Sequence, residues 1–423
     1  MKLTEYNEIN ERIYTDILPN GLSVFVVPKP GFHKKYAFFA TGYGGVDRRF
    51  KLANEWIDTP AGVAHFLEHK MFDTEDGNAL ELLSANGASP NAYTSSDTTA
   101  YHFECIDMFS ENLETLLSFV SVPYFTAESV DKEQGIIDQE IRMVEDDPDY
   151  CLYYGLLKSL FKANPLRDSV IGSIESIKKI TAETLYDCHK AFYAPSNMAL
   201  CVIGDVDPSM VCDIAGKILP SVKSEVPVRD YGEPEILSPA GGDFSKEMEV
   251  SLPVFLAGCK LPAAKKGQDY LLHEIISAIV LEILCGHSSA LFIRLYSEGL
   301  INADFSASFD SSAGVAYTMF GGEARDPERV FEEVKKEIKA AASQGADPAL
   351  FERIKKAAIG SHIRALNSFG VLAASIAEGH FKGFDPFLAP KLLSKIKIDD
   401  VNKFISENII PENMVISSIK PIK

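Results

Sequence analysis

Hydrophobic positions recur along the chain with two periods. Short stretches such as Leu22-Ser-Val-Phe-Val-Val and Ala303-Asp-Phe-Ser-Ala-Ser-Phe, which alternate, and Ala-Leu-Cys-Val-Ile at 199–203 and Val-Ile-Ser-Ser-Ile at 415–419 have the character of strands. Between them run longer segments of helical period. In 126–146, TAESVDKEQGIIDQEIRMVED, Val130, Ile137, Ile141 and Val144 form one apolar stripe behind a plausible Thr126 cap. Strands and helices do not follow a strict βαβ order. The pattern therefore predicts α+β layers, a mostly antiparallel sheet with helices packed on one face.

The pattern also repeats. Residues 180–198, ITAETLYDCHKAFYAPSNM, and 396–414, IKIDDVNKFISENIIPENM, both run from Ile through a short helical segment to Pro-x-Asn-Met before a strand. An offset of 216 residues relates Ile180 to Ile396, Pro195 to Pro411 and Asn197 to Asn413. Two copies of one domain follow. The Pro/Gly-rich stretch VPVRDYGEPEILSPAGGD at 226–243 reads as their linker, which predicts domains at 1–225 and 244–423.

Composition narrows the class. The 423 residues are 46% apolar and 24% charged, as in globular proteins, and enough for two domains. A formal charge of −19 argues against nucleic acid, which requires a concentrated basic face. Solubility explains such a balance most simply, and an acidic interior for basic peptides is the sharper alternative. The first residues lack a signal-peptide core, and the longest apolar run, Ile275–Cys285, is too short for a membrane span. Seven scattered cysteines, never spaced CxxC, indicate reduced thiols and a cytoplasmic location, and they exclude a cysteine-based zinc site.

The chemistry concentrates in TPAGVAHFLEHKMF, residues 59–72. Thr59 followed by Pro60 has the form of a helix start. His65 and His69, four apart, project from one face and suit adjacent corners of a tetrahedral Zn2+. Glu68 sits about 60° from His65 on the side away from His69, within reach of a water at such an ion. This is the HxxEH order, the reverse of HExxH. Glu133 and Glu140, two turns apart, lie beside the apolar stripe of the second helix, where a carboxylate is costly unless paired. Glu140 is the expected third ligand and Glu133 a carboxylate orienting a ligand or substrate. Taken singly, two histidines on a helix also suit hydrogen bonding or solvent, and a Glu-rich helix also suits a wet surface. The conjunction favours a metal site. The other seven histidines have no partner at metal spacing.

These motifs resemble the insulysin/pitrilysin family of zinc metallopeptidases, the inverzincins. The likeness runs through PAGVAHFLEHKMF at 60–72, NGASPNAYTSSDTTAYHF at 86–103, KEQGIIDQEIRMVEDDP at 132–148 and FYAPSNM at 192–198. Within the family the chain resembles in particular small bacterial members associated with aminopentanol modification of elongation factor P. The resemblance implies His65, His69 and Glu140 as zinc ligands, Glu68 as general base and Glu133 as an additional acid. It implies that Asn91 and Ala92 lie on an edge strand to which substrate peptide adds; a plain strand after Gly87 and Pro90 is the alternative. The second half then reads as a degenerate copy, with Lys355 opposite Glu133 and His362 opposite Glu140.

One departure stands out. Active members draw an arginine and a tyrosine into the site from a motif that here reads LYSEGLIN, 295–302, with Tyr296 at the arginine position, Ile301 or Asn302 near the tyrosine position, and Arg294 out of register. The expected function is a zinc endopeptidase working on short or unfolded peptides inside a two-chain clamshell. The expected dimer forms with a metal-free paralogue that supplies the missing pair, or with a second copy. A non-catalytic structural or peptide-binding subunit of a heteromeric assembly is the rival.

Overall fold

A computed structural model describes residues 1–422, which form two compact units. The first comprises Met1–Ile141, Ser169–Tyr231 and Ala365–Phe381. Its strands are β1 Lys2–Tyr6, β2 Glu11–Ile17, β3 Ser23–Pro28, β4 Lys35–Thr41, the short hairpins β5 Arg49–Leu52 with β6 Glu55–Asp58 and β7 Asp73–Thr74 with β8 Gly77–Asn78, then β9 Ser89–Thr94, β10 Thr99–Cys105 and β11 Met198–Gly204. Seven form one sheet in the order β1-β2-β3-β11-β4-β10-β9, antiparallel throughout except β3 with β11.

Alternation along these strands builds the core. Val24, Val26, Ala37, Phe39, Tyr101, Phe103, Leu200 and Val202 face one side and pack with the helices α1 Val63–Met71, α2 Ala79–Ala85, α3 Phe109–Ser121, α4 Ala127–Glu145, α7 Ala182–Phe192 and α8 Pro208–Ile218. A short helix, α6 Ile174–Ile177, precedes α7. The opposite face is covered as well: His380 meets the Phe25 ring at 5.6 Å and Phe369 meets Phe32 at 5.7 Å.

The second unit comprises Arg142–Asp168, Gly232–Arg364 and the chain from Lys382 onward. Its sheet holds β12 Phe244–Met248, β13 Val254–Leu261, β14 Ser306–Ser312, β15 Val315–Glu323 and β16 Val415–Pro421 in the order β12-β16-β13-β15-β14. Only β12 and β16 are parallel. This is the pattern of β3-β11-β4-β10-β9, strand for strand, and the duplication predicted from the 216-residue offset is therefore a duplication of topology. The helices are α5 Pro148–Leu160, α9 Gln268–Cys285, α10 Ala290–Ser297, α11 Pro327–Gln344, α12 Pro348–Ala365, α13 Phe369–Lys382, α14 Ala389–Lys395 and α15 Ile398–Asn408; most of α13 is grouped with the first unit. The repeat segments match in detail: α7 and α15, the 3₁₀ turns Pro195–Asn197 and Pro411–Asn413, then β11 and β16.

The units differ from the linear domains expected at 1–225 and 244–423. Helix α5 is grouped with the second unit because its apolar face is buried there: Leu152 packs with Met248 and Ile419, and a side chain at Gly155 would collide with Phe244 and Ser417. The 226–243 stretch is tied at both ends rather than loose. In the first unit Arg229 pairs with the buried Asp47 at 2.9 Å and Tyr231 donates to the same carboxylate. In the second, Glu235 pairs with the buried Lys260 at 3.0 Å and accepts the backbone N–H groups of Lys162, Ala163 and Asn164.

The segment 268–297 is apolar enough by composition to cross a membrane, but α9 within it carries much of the second core, including Ile275, Ile279, Val280, Ile283 and Leu284. The seven cysteines are free, five of them buried.

A candidate metal centre on two helices

The helix bearing the histidines starts later than Thr59-Pro60 predicts. Thr59 donates to the Arg48 carbonyl instead of capping, and α1 begins at Val63 behind Gly62. Gly62 has φ +97°, and a Cβ there would stand 2.7 Å from the Ile171 carbonyl. Only glycine allows that approach. From there one turn separates His65 from His69, and their rings lie 4.5 Å apart.

Helix α4 is capped as expected, and reciprocally: Ser129 N–H bonds to the Thr126 hydroxyl and Thr126 N–H to the Ser129 hydroxyl. Its buried stripe of Val130, Ile137 and Ile141 fixes its rotation against the core, with Val144 half-buried. Glu133 and Glu140 are thereby turned toward α1. His69 Nδ1 bonds Glu133 Oε1 at 3.0 Å. Glu140 presents Oε1 to His65 Nε2 at 3.5 Å and Oε2 to His69 Nε2 at 3.8 Å.

Ligand atoms of His65, His69 and Glu140 all lie within 4.8 Å of one another. Tetrahedral ligands about 2.1 Å from zinc stand about 3.4 Å apart, so the two nitrogen–oxygen separations suit ligands of a shared ion better than they suit hydrogen bonds. With the His69 Nδ1 proton given to Glu133, a neutral His69 turns its Nε2 lone pair toward a carboxylate, and two acceptors so placed call for a cation between them. His65 is well suited to donate a lone pair: burial first, then the neighbouring His69, push its pKa down to about 3. In the metal-free chain burial lowers the His69 pKa, but the Glu133 hydrogen bond and the charges of Glu133, Glu140 and Glu68 outweigh it, and the net shift is upward. The donor set, two imidazoles and one carboxylate, is one that zinc accepts with a position left open.

Glu68 is buried beside this group, its pKa raised chiefly by burial. Thr94, on β9, donates its hydroxyl to Glu68 Oε2 at 2.6 Å, and Thr99 both approaches Thr94 at 3.3 Å and donates to the Tyr43 carbonyl. Sequence patterning missed Thr94 as a partner of Glu68. A hydroxyl 26 residues away carries no periodic signal. Asn91 and Ala92 lie on β9, the last strand in the sheet order, opposite His102 and Tyr101 of β10. Asn91 is exposed, and its Oδ1 accepts the Ala92 N–H at 2.8 Å.

The second unit holds no counterpart among the described residues. Ile301 is buried in its core, Asn302 donates to Glu323, Tyr296 is exposed on α10, and Arg294 pairs with Glu333 at 2.7 Å. Lys355 donates to the Ile396 carbonyl.

A half-buried His–Glu group on paired helices, inside a duplicated α+β chain, is what metallopeptidase-like proteins present. The chain belongs to peptidase family M16: residues 57–173 match the model described as insulinase (peptidase family M16), and 179–358 match the peptidase M16 inactive domain. It is 37% identical to the uncharacterized zinc protease YmfH of Bacillus subtilis, over 100% of this chain and 99% of that one. The structure of a putative M16-like peptidase from Alicyclobacillus acidocaldarius superimposes with a TM-score of 0.93 at 33% identity, covering 97% and 99% of the two chains. A protease from Helicobacter pylori shares the fold at 19% identity, with a TM-score of 0.84 and coverage of 97% and 100%.

Proposed function

We propose that the chain is a zinc-dependent endopeptidase that hydrolyses short or unfolded peptides, with His65, His69 and Glu140 holding the ion and Glu68 acting as general base. The observation that carries this reading is the convergence of two imidazoles and the Glu140 carboxylate beside a buried second carboxylate, in a family of zinc proteases. When bound, zinc supplies Lewis acidity, polarising a carbonyl and bringing the pKa of a bound water to about 7.

The chain's own residues do the rest. Glu133 holds the His69 ring in one orientation through Nδ1. Glu68 accepts a proton at its carboxylate and returns it to the leaving amine, a role worth about 10²–10⁴-fold. Thr94 keeps the Glu68 carboxyl turned to one side by bonding Oε2. The free edge of β9 supports pairing of an extended peptide backbone alongside Asn91 and Ala92.

Residues 295–302 lack the arginine–tyrosine pair that the family resemblance implies, so the complete site draws it from a second chain, a metal-free paralogue or another copy. The same lack favours one rival, a subunit that binds peptide or builds an assembly without cutting. The free thiols agree with a reducing, cytoplasmic setting. Turnover of a quenched peptide library, with zinc content measured in parallel, tests the reading. Glu68→Gln is expected to keep its zinc and lose turnover; cleavage by Glu68→Gln at the wild-type rate overturns the assignment of the base, and no turnover with or without a partner chain favours the rival.

A further inference from the structure

The first unit carries a second concave surface that shares no residue with the metal group. The β7–β8 hairpin, α2, the C-terminal end of α3 and the loop at 122–124 enclose a groove of about 800 Å3. Its apolar floor is open. Phe119 lies at the bottom, while Leu82, Val122 and Tyr124 are 52%, 64% and 39% exposed. Apolar side chains gathered in this way, and not scattered singly, mark an interaction site.

The rim has one sign. Glu75, Asp76, Glu81 and Glu114 line it, and no lysine, arginine or histidine does. Of the rim acids, Glu114 pairs with Lys217 at 3.7 Å, whose own side chain is 73% exposed, a surface pair that neutralises little. The end of α3 adds to the field. This 13-residue helix closes at Ser121 with no basic residue in its last turn, so the negative end of its dipole opens on the groove. The N-terminus of α2, of opposite sign, is already answered by the Asn78 side chain, which caps Leu80 N–H, and by Glu81 in the first turn.

We infer that this groove docks a basic amphipathic helix of a partner protein, its apolar side chains on Leu82, Phe119, Val122 and Tyr124 and its lysines or arginines against the acidic rim. A helix fits better than a strand because the groove is walled by helices and offers apolar anchors, the features of helix-in-groove recognition. A second copy of this chain is a poor occupant on charge, since the whole chain carries −19. An anionic lipid surface would be repelled.

The test is fluorescence anisotropy with a labelled 14-residue helical peptide of leucine and lysine, against a control with glutamate in place of lysine. Glu68→Gln protein serves as the background, so that the probe is not consumed. The Leu/Lys peptide is expected to bind saturably and the Leu/Glu peptide not to bind. Leu82→Asp or Val122→Asp is expected to weaken binding at least tenfold. Glu75→Lys and Glu81→Lys are expected to weaken it three- to tenfold in 50 mM salt and much less in 500 mM. On the Glu68 background these four variants are expected to hydrolyse peptides as before. The charge reversals lie on exposed residues and give a readout even if an aspartate in the groove impairs folding. No saturable binding, equal binding of both peptides, or indifference to all four substitutions overturns the inference. So does a fall in the sedimenting mass of the chain alone on Leu82→Asp, which would assign the groove to a second copy.

Discussion

The two units share one five-strand plan, and a comparison helix by helix shows how little of it the chemistry occupies. In the first, α1 follows β4 after the β5–β6 hairpin and α4 follows α3; in the second, α9 follows β13 and α12 follows α11. Where α1 aims His65 and His69 at carboxylates, α9 packs His273 against the rings of Phe309 and Phe404 at 5.4 and 5.2 Å. Where α4 carries Glu133 and Glu140, α12 carries Lys355 and His362. Both helix sets bury an apolar stripe and fold alike. The candidate metal group is thus a matter of four or five side chains laid on one copy of a scaffold whose other copy folds with different residues at those places.

The largest effect should come from erasing what separates the units. Glu140→Ala or His65→Ala, which removes one of three ligands, is expected to take bound zinc from about one per chain to near none and to abolish hydrolysis; unchanged metal content would mean another ligand set. Glu68→Gln should come next, with zinc retained and kcat down by about 10²–10⁴-fold. Glu133→Gln is expected to weaken zinc about 10–100-fold, read by competition with a chelator, because it frees the His69 ring to turn. Thr94→Val removes a hydrogen bond to a carboxylate, worth about 1.5–3 kcal/mol, and should lower kcat about tenfold while KM and zinc content stay put. A KM change without a kcat change would instead assign Thr94 to peptide binding.

The ion pairs that tie down the linker sharpen the comparison further, since they respond to pH with opposite sign. Burial, the largest influence, pushes the pKa of Asp47 up to about 6 despite Arg229 and the hydrogen bonds from Gly44 and Tyr231. A folded-state pKa above the unfolded value near 4 means that the folded chain binds the proton more tightly, so this group costs stability as pH rises through about 4–6. Arg229→Met should therefore cost about 3 kcal/mol at pH 8 and clearly less at pH 5, where Asp47 takes up a proton. Glu235 behaves the other way. Burial raises its pKa, but the N–H groups of Ala163 and Asn164 and the Lys260 ammonium outweigh that, and the net shift is downward. Its contribution is present above the ordinary carboxylate range and is lost only as pH falls through the depressed value. Urea unfolding of Arg229→Met at the two pH values checks the sign for Asp47, and unfolding of Lys260→Met, expected to lose as much at pH 5 as at pH 8, checks that for Glu235. Equal losses for Arg229→Met at pH 5 and pH 8 would contradict the account of Asp47.

Much of this was legible in the linear pattern. The duplication could be read because helix, 3₁₀ turn and strand recur at one offset, and the turn's Pro-x-Asn does local work: Asn197 donates to the carbonyls of Gly42 and Phe192. The candidate metal group could be read because i, i+4 and i, i+7 spacings are local rules, obeyed wherever a helix forms. The start of α1 could not. A threonine–proline pair marks a helix start by propensity, but the close approach of Gly62 to Ile171, 109 residues on, moved it to Val63.

Alone, then, the amino-acid sequence determined which side chains share a helical face and where the two copies repeat, because both are encoded by spacing along the chain, and its motifs resembled the family to which the chain belongs. Tertiary structure alone decided that Thr94 holds Glu68, that α5 packs with the second sheet and 365–381 with the first unit, and that Leu82, Val122 and Tyr124 gather above Phe119 inside an acidic rim. Those juxtapositions join residues whose separation follows no period. They are set by which faces remain to be buried once the sheets have formed.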